Sequence, residues 1–145
     1  MTATRSRKEV KNYRKHRKNM QKPAGCTFCL IDKNSDQFIS ETKYFKVVRN
    51  IFGYSLWDSQ RVEDHLMIVP KMHTDRLSKL PKKAGVDFLE ILGEYEEKCY
   101  NIYARAPSSV IKTVVHQHTH LIKPLGKPRR LIFLLRKPYI RFTLW

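Results

Sequence analysis

Three histidines at alternate positions, His116, His118 and His120, are the densest group of reactive side chains in the sequence. A β-strand turns alternate side chains to one face, so a strand here would hold the three imidazoles in a row about 7 Å apart. Histidine changes charge near neutral pH. The row therefore suits metal binding, or covalent catalysis in which one histidine is the nucleophile and its neighbours move protons. A chance cluster of core histidines is the third interpretation.

A second group is the pair Cys26 and Cys29, which has the CxxC spacing of metal sites and of redox sites. Two buried cysteines without chemistry would give the same pattern. The third cysteine, Cys99, lies in a predicted helix, where a lone cysteine is most often a small core residue. An odd number of cysteines argues against a disulfide framework.

Together, three motifs resemble those of the histidine-triad (HIT) family of nucleotide hydrolases and transferases. The histidine run followed by Leu121-Ile122 is similar to the family signature. The segment from His65 to His73, HLMIVPKMH, is similar to its second landmark, and the CxxC pair to a third. The resemblance covers about residues 24–124. It implies a HIT-like domain that acts on a nucleotide or nucleotide conjugate.

The resemblance also implies a role for individual residues. His118 attacks the α-phosphorus of the nucleotide, and water then resolves the nucleotidyl-imidazole intermediate. A hydrogen bond from its other ring nitrogen to a backbone carbonyl would fix the required tautomer. His120 assists the leaving group, Lys112 and Thr113 hold phosphate oxygens, and Asp58 is the nearest candidate for the acid that binds the ribose.

This chain departs from the family pattern at several positions near the triad. Lys112 replaces a polar amide, and Arg105 replaces an asparagine in the loop that contacts phosphate. Gln117 and Thr119 stand where the family has apolar residues, which predicts that the opposite face of the strand is less deeply buried. The departures leave the substrate open.

A structural zinc ion is the cofactor that the resemblance implies. Two thiolates require two further ligands, and His65 and His116 would complete a closed tetrahedral site with Cys26 and Cys29. The middle histidine would then remain free for chemistry. A redox pair and two buried cysteines are the alternatives. We expect His73 to cap a turn and to have no catalytic role.

The elements that position these residues predict an α+β domain with a mostly antiparallel sheet. Apolar spacing predicts one long helix over 84–104 and a short helix or turn over 72–80. The predicted strands cover 44–49, 52–57, 65–70, 109–122, 131–135 and 139–145.

Charge divides the chain into three parts. The net charge is +16, and residues 1–22 carry nine Lys and Arg against the single acid Glu9. Residues 1–22 therefore form a basic N-terminal arm, which is either mobile or a helix formed only against a partner. Residues 23–124 form the catalytic domain, and 125–145 form a basic C-terminal strand segment. Such arms attract RNA or DNA through phosphates, or are simply solvated tails.

Three classes of function remain. The first is a hydrolase or nucleotidyl transferase acting on a dinucleoside polyphosphate, a nucleoside phosphoramidate or a similar molecule. The second is a deadenylating enzyme acting on nucleic-acid ends, and the third is a zinc-stabilised nucleic-acid-binding module without activity. An intact triad favours the first two. The family resemblance adds a homodimer, and the lack of a long apolar run predicts a cytoplasmic protein that does not enter a membrane.

Overall fold

The structure is a computed structural model that describes residues 7–19, 25–109, 112–126, 131–136 and 139–144, the last two ranges as backbone only. The helices are α1 (Arg7–Asn19), α2 (Thr27–Leu30) and α3 (Lys82–Glu97), with a 3-10 turn at Leu77–Lys79. The strands are β1 (Phe38–Glu41), β2 (Phe45–Arg49), β3 (Leu56–Trp57), β4 (Gln60–Pro70), β5 (Asn101–Ala104), β6 (Thr119–Leu125), β7 (Leu131–Arg136) and β8 (Tyr139–Leu144).

One antiparallel sheet organises the molecule, which confirms the predicted α+β class. Its strand order is β1-β2-β4-β6-β5, with β3 paired to β4. The central strand β4 begins well before the predicted His65, and its apolar second half is fully buried. Because β4 pairs with both β2 and β6, it lies in the middle of the sheet, and its Met67 pairs directly with His120.

The two faces of the sheet have different roles. Alternation along β4 and β6 turns Leu66, Ile68 and Leu121 towards α3, where they share a core with Ile91 and Tyr95. The intervening residues face the other way. That second face carries a smaller core beneath α2 and also the histidines of the site. The sheet therefore separates the main hydrophobic core from the chemistry.

The long helix is shorter than predicted. It ends at Glu97, and Cys99 follows with a positive φ of 64°, a conformation that no α-helix can contain. Residues 101–104, predicted as the end of this helix, form the edge strand β5 instead. On the helix itself, Val86 and Leu89 are exposed although the helical periodicity placed them in the core.

The strand predicted over 109–122 is also shorter, because β6 begins only at Thr119. Residues 112–118 have no regular structure, and 110–111 lie outside the described residues. The prediction for 52–57 holds only for β3. The two C-terminal strands are confirmed as the antiparallel pair β7 and β8.

The basic arm forms a helix that lies against its own chain. Tyr13 and His16 of α1 pack edge-on against the Phe52 ring, and Ser55 donates a hydrogen bond to Glu9. These α1 residues are spaced four and three apart and so share one face. The arm was predicted to be either mobile or helical only against a partner; residues 7–19 are helical against the chain itself, while 1–6 and 20–24 lie outside the described residues. Within the described part of the chain, no helix has both the length and the apolar character needed to cross a membrane.

Candidate active site and metal centre

Four side chains converge where the start of α2 meets the end of β4. The sulfurs of Cys26 and Cys29 lie 3.3 and 3.5 Å from Nδ1 of His116. Nδ1 of His73 lies 3.3 Å from the Cys29 sulfur. All four donor atoms are within 4.8 Å of one another. We call Cys26, Cys29, His73 and His116 the cysteine cluster.

The cysteine cluster fits a zinc ion in donor type and in spacing. Zinc bonds of about 2.3 Å to sulfur and 2.0–2.1 Å to nitrogen place S and N about 3.5 Å apart around a tetrahedral ion. The observed sulfur–nitrogen distances of 3.3 to 3.5 Å match this value. In addition, Nε2 of His116 lies 3.0 Å from the Pro70 carbonyl, which only accepts. Nε2 therefore carries the proton, and Nδ1 has its lone pair directed at the sulfurs.

The ligand set predicted from sequence is wrong in one member: His65 is not in the cysteine cluster, and His73 takes that position. The cause lies in the geometry of β4. His65 is in mid-strand, whereas His73 follows the strand end at Pro70, where the chain turns back towards His116. The rings of His73 and His116 have their centroids 4.7 Å apart. His73 is therefore not simply a turn residue.

His118 is buried, with 8% of its surface exposed. Its Nδ1 lies 2.9 Å from the carbonyl oxygen of His116, so Nδ1 donates and Nε2 keeps a lone pair. This is the backbone hydrogen bond that the resemblance implied. The pKa of His118 is lowered, mainly by burial. The carbonyl contact opposes this shift, and the positive charges of Lys112 and Arg105 add to it.

The tautomer of His120 is set by the side chain of His65. The Tyr54 amide donates to Nδ1 of His65 over 3.1 Å, so Nε2 of His65 carries a proton. That nitrogen lies 2.9 Å from Nδ1 of His120, which is consequently the acceptor. His120 thus keeps its own proton on Nε2. We call His65, His118 and His120 the histidine cluster.

The three triad histidines do not stand in a row as the strand prediction required. Only His120 lies in β6, while His116 and His118 belong to the irregular segment before it. The backbone N–H of Gln117 anchors this segment by donating to the Thr74 carbonyl over 2.6 Å. The rings of His118 and His120 are 5.0 Å apart and nearly perpendicular. His116 contacts the cysteines instead, so one short run supplies two clusters.

Of the three predicted substrate-binding residues, two lie close to the triad and the third lies in a distant turn. Lys112 is half-buried and donates to the Gln117 side chain over 3.1 Å, next to His118. Thr113 is exposed just before the triad. Asp58 is not near the histidines: with a φ of 51° it forms the two-residue turn between β3 and β4. That turn lies about 17 Å along β4 from His65. The prediction of a ribose contact at Asp58 is corrected on this ground.

Gln117 and Thr119 lie on a well-buried face, contrary to expectation. Their exposed fractions are 4% and 2%. The Gln117 side chain is held by Lys112, which gives its amide oxygen a partner. Within the described ranges, the Thr119 hydroxyl is the buried side-chain polar atom that lacks a hydrogen bond.

Sequence reasoning missed the residues that support the histidine cluster. Tyr54 contributes its amide to His65, and its ring lies 4.8 Å from the His65 ring. Asn50 accepts a hydrogen bond from the Phe52 amide through its side-chain oxygen, so it holds the loop that carries Tyr54. Gly53 fits closely here: a Cβ would meet the His65 Cβ at 3.3 Å. The signal available in sequence was the NIFGY turn.

Comparison with known proteins gives two curated relatives, both named adenosine 5'-monophosphoramidase HNT1, and many similar folds. Adenosine 5'-monophosphoramidase HNT1 from Saccharomyces cerevisiae is 30% identical over 114 residues, which cover 75% of this chain and 68% of the yeast protein. No family model matches the chain.

Two solved structures illustrate the similarity of fold. A HIT family protein from Bacillus anthracis aligns over 72% of this chain and 76% of its own, with 18% identity and a TM-score of 0.55. A zinc-bound histidine triad family protein from Mycobacterium smegmatis aligns over 70% and 76%, with 21% identity and a TM-score of 0.51. The identity and coverage of the yeast relative, together with the fold, show that this chain belongs to the histidine-triad (HIT) family of hydrolases.

Proposed function

We propose that this protein cleaves a nucleotide substrate at its α-phosphorus through a covalent nucleotidyl intermediate on His118. The observation that carries the proposal is the hydrogen bond from Nδ1 of His118 to the His116 carbonyl. It leaves Nε2 with a lone pair on a buried imidazole. A nucleophile held in the right tautomer before substrate binds loses no free energy to tautomer exchange during the reaction.

The two steps follow from the tautomers of the cluster. The Nε2 lone pair of His118 forms a bond to the α-phosphorus, and the bond to the leaving group breaks with its electron pair. His120 can donate its Nε2 proton to that leaving group, because Nδ1 already accepts from His65. Water then displaces His118 from phosphorus, releases the nucleoside monophosphate and restores the free imidazole.

The adenine base is proposed from the relative. The yeast protein is named for its action on an adenosine 5'-monophosphoramidate. We therefore choose adenylated compounds as the first substrates to test. The leaving group is not transferred from that name.

Covalent trapping tests the mechanism. The full-length protein is mixed with an adenylated substrate, acid-sensitive adducts are preserved by rapid alkaline quenching, and peptides are analysed by mass spectrometry. We expect an added adenylyl group on the peptide that contains His118. Turnover without any adduct, also after rapid mixing on the millisecond scale, would contradict a covalent intermediate.

We also propose that the cysteine cluster holds a structural zinc ion, with Cys26, Cys29, His73 and His116 as the four ligands. Four protein ligands leave no open position, which is typical of structural zinc. Bound there, zinc would tie the N-terminal segment to the end of β4 and add its binding energy to folding. Free thiols at this site suit a reducing compartment such as the cytoplasm.

A second candidate function, removal of adenylate from nucleic-acid ends, is favoured by the position of α1. This helix has seven Lys and Arg among thirteen residues. It packs on Phe52 and Ser55, on either side of Tyr54, which contacts His65. Positive charge is thus held close to the histidine cluster, where the phosphates of a polynucleotide would be attracted.

A salt titration separates this candidate from action on small nucleotides alone. Lys11, Lys15 and Lys18 are exposed on α1, and we propose the triple change Lys11→Gln, Lys15→Gln, Lys18→Gln. Binding of single-stranded DNA should then lose about 2 units of the slope of log affinity against log salt. Hydrolysis of a small adenylated substrate should be unchanged. An equal slope in the variant and the wild type would remove the nucleic-acid candidate.

A further inference from the structure

One short loop connects the N-terminal helix α1 to the histidine cluster. It consists of residues 52–55, and we call it the tyrosine loop because it carries Tyr54. The backbone N–H of Tyr54 donates to Nδ1 of His65 over 3.1 Å, and the two rings lie 4.8 Å apart. A Cβ on Gly53 would meet His65 at 3.3 Å, so the loop packs closely on that histidine. The tautomer of His65, and through it that of His120, therefore depends on the position of this loop.

The strand β4 holds the tyrosine loop at its two ends. The backbone N–H of Asn50 donates to the His65 carbonyl over 2.9 Å, just before the loop. At the other end, the backbone N–H of Val62 donates to the Ser55 carbonyl over 3.1 Å. Because these bonds act on the ends, the position of the middle of the loop also depends on the side chains that pack over it.

Helix α1 packs over the loop with two side chains on one of its faces. The Tyr13 ring lies edge-on to the Phe52 ring, with the centroids 5.0 Å apart. The Ser55 hydroxyl donates a hydrogen bond to the Glu9 carboxylate. An edge-on aromatic pair and a hydrogen bond to a charged group both have a preferred geometry. Helix α1 thus contacts the loop on both sides of Tyr54 in the sequence.

This helix is an addition to the family domain. The motifs that resemble the family cover about residues 24–124, and α1 covers Arg7–Asn19. The loop on which it packs supports the histidine cluster. A segment outside the family domain therefore contacts the support of a residue to which the proposed mechanism gives a proton.

We propose that Glu9 and Tyr13 are positioning residues for proton donation by His120. By holding the tyrosine loop against β4, they keep the Tyr54 N–H on Nδ1 of His65. Nε2 of His65 then donates to Nδ1 of His120, and the His120 proton stays on Nε2, from which the leaving group takes it. The inference rests on the proposed function and adds α1 to the parts of the chain that serve it.

Loosening the loop moves protons without changing their number. When the Tyr54 N–H no longer donates to it, Nδ1 of His65 is free to take the ring proton. Nε2 of His65 then accepts, the proton of His120 moves to Nδ1, and its Nε2 is left with a lone pair. The nucleophile is unaffected, because Nδ1 of His118 donates to the backbone carbonyl of His116. Attack on phosphorus therefore continues, while protonation of the leaving group is lost.

The experiment uses two probes that transfer the same adenylyl group and differ in their need for a proton. Adenosine 5'-monophosphoramidate releases an amine, which must be protonated as the P–N bond breaks. The 4-nitrophenyl ester of AMP releases 4-nitrophenolate, which is stable as an anion. For full-length Tyr13→Ala and Glu9→Ala we expect kcat/KM to fall about tenfold or more on the amidate and less than about threefold on the ester, a selective loss of general acid catalysis.

Matched variants separate the contacts from the presence of the helix. Tyr13→Phe keeps the ring against Phe52, and Glu9→Gln keeps an acceptor for Ser55, so each should retain kcat/KM on the amidate within about threefold. Lys15→Ala removes an exposed side chain from the same helix. Lys15 lies about 200° around the helix from Tyr13 and should alter neither probe.

Nitrogen NMR of the histidine rings provides a readout that does not depend on turnover. In the wild-type protein we expect His120 to carry its proton on Nε2 and to accept at Nδ1. In Tyr13→Ala the proton should shift towards Nδ1, while the ring nitrogens of His118 stay unchanged. An unchanged His120 tautomer in a folded Tyr13→Ala protein would overturn the inference.

The kinetic outcomes also separate this inference from the proposed function. An equal loss on both probes would show that α1 supports the fold or substrate entry only, and unchanged rates on both would show no role; either result overturns the inference. If the wild-type protein turns over neither probe and forms no adduct on His118, the proposed function falls and the inference with it. An adduct on His118 combined with equal effects on the two probes removes the inference alone.

Discussion

The cysteine cluster and the histidine cluster take histidines from one five-residue run, yet they prepare the imidazole in opposite ways. In the cysteine cluster, Nε2 of His116 donates a hydrogen bond to the Pro70 carbonyl, and Nδ1 is directed at two sulfurs. In the histidine cluster, Nδ1 of His118 donates a hydrogen bond to the His116 carbonyl, which leaves the lone pair on Nε2.

The difference teaches that residue type alone does not decide the chemistry of a histidine. The partner of the second nitrogen does, because it selects which nitrogen has the lone pair. In the proposed assignment, His116 is a metal ligand because it has sulfur neighbours, whereas His118 is the nucleophile because its free Nε2 is not directed at sulfur. The following substitutions test the roles proposed for the two clusters.

The largest effect is expected from His118→Ala. Removing the nucleophile should lower kcat/KM by a factor of about 1000 or more, as is usual for a residue that acts within a catalytic unit. Bound zinc and melting temperature should stay at wild-type values. His16→Ala, which removes a histidine outside both clusters, is the matched control. A folded His118→Ala protein with more than about a tenth of the wild-type rate would show that another group attacks.

Cys26→Ser tests the cysteine cluster. Loss of one ligand should release the zinc and destabilise the fold by about 3 kcal/mol or more, roughly 10 °C in melting temperature for a chain of this size. Metal analysis and thermal unfolding measure both effects. Cys99→Ser, at an exposed cysteine outside the cluster, should change neither. Equal metal content in the two variants would contradict a zinc site at the cysteine cluster.

The pair His73→Ala and His65→Ala sharpens the boundary between the clusters. His73→Ala should lose the metal. His65→Ala should retain it and lose about 10- to 100-fold in kcat/KM, the usual cost of removing a partner that orients a functional histidine. Zinc content and turnover measured on both proteins decide the assignment. Metal loss in His65→Ala alone would restore the ligand set expected from sequence.

The smallest effect is expected from Gly53→Ala. The new methyl would press on the His65 side chain at 3.3 Å, so His65 must move by a few tenths of an ångström. We expect a two- to fivefold loss of kcat/KM, below about 1 kcal/mol, with metal content unchanged. Gly93→Ala in α3 is the control, because its Cβ meets nothing within 4 Å. That control should raise stability by about 0.5–1 kcal/mol and leave activity alone, whereas an equal activity in both would show that Gly53 has no role at His65.

The sequence predicted which reactive side chains cluster better than it predicted the backbone that carries them. The histidine run, the CxxC pair and the buried half of β4 were recognised from residue type and apolar patterning. The end of α3 was not, because Asn101–Ala104 is short and apolar and fits a helix or a strand equally well. Strand registry decides such cases, and registry depends on contacts between distant residues.

The same limit explains the exchange of His65 for His73. Both flank the apolar run of β4, and composition does not distinguish them. In the sheet, His65 lies opposite Ile122, which brings it diagonally next to His120 and commits it to that neighbour. Asp58 was chosen by its distance along the chain from His65, but the β3–β4 turn carries it away from the site.

The acceptor of the His118 proton is a backbone carbonyl, and this has a consequence for how the protein tolerates mutation. Every amino acid at position 116 brings a carbonyl, so no side-chain substitution there can delete the group that sets the His118 tautomer. The His120 tautomer depends on the His65 side chain and has no such protection. A single codon change at position 65 can therefore remove the support of His120, whereas the tautomer of His118 is set by the path of the main chain.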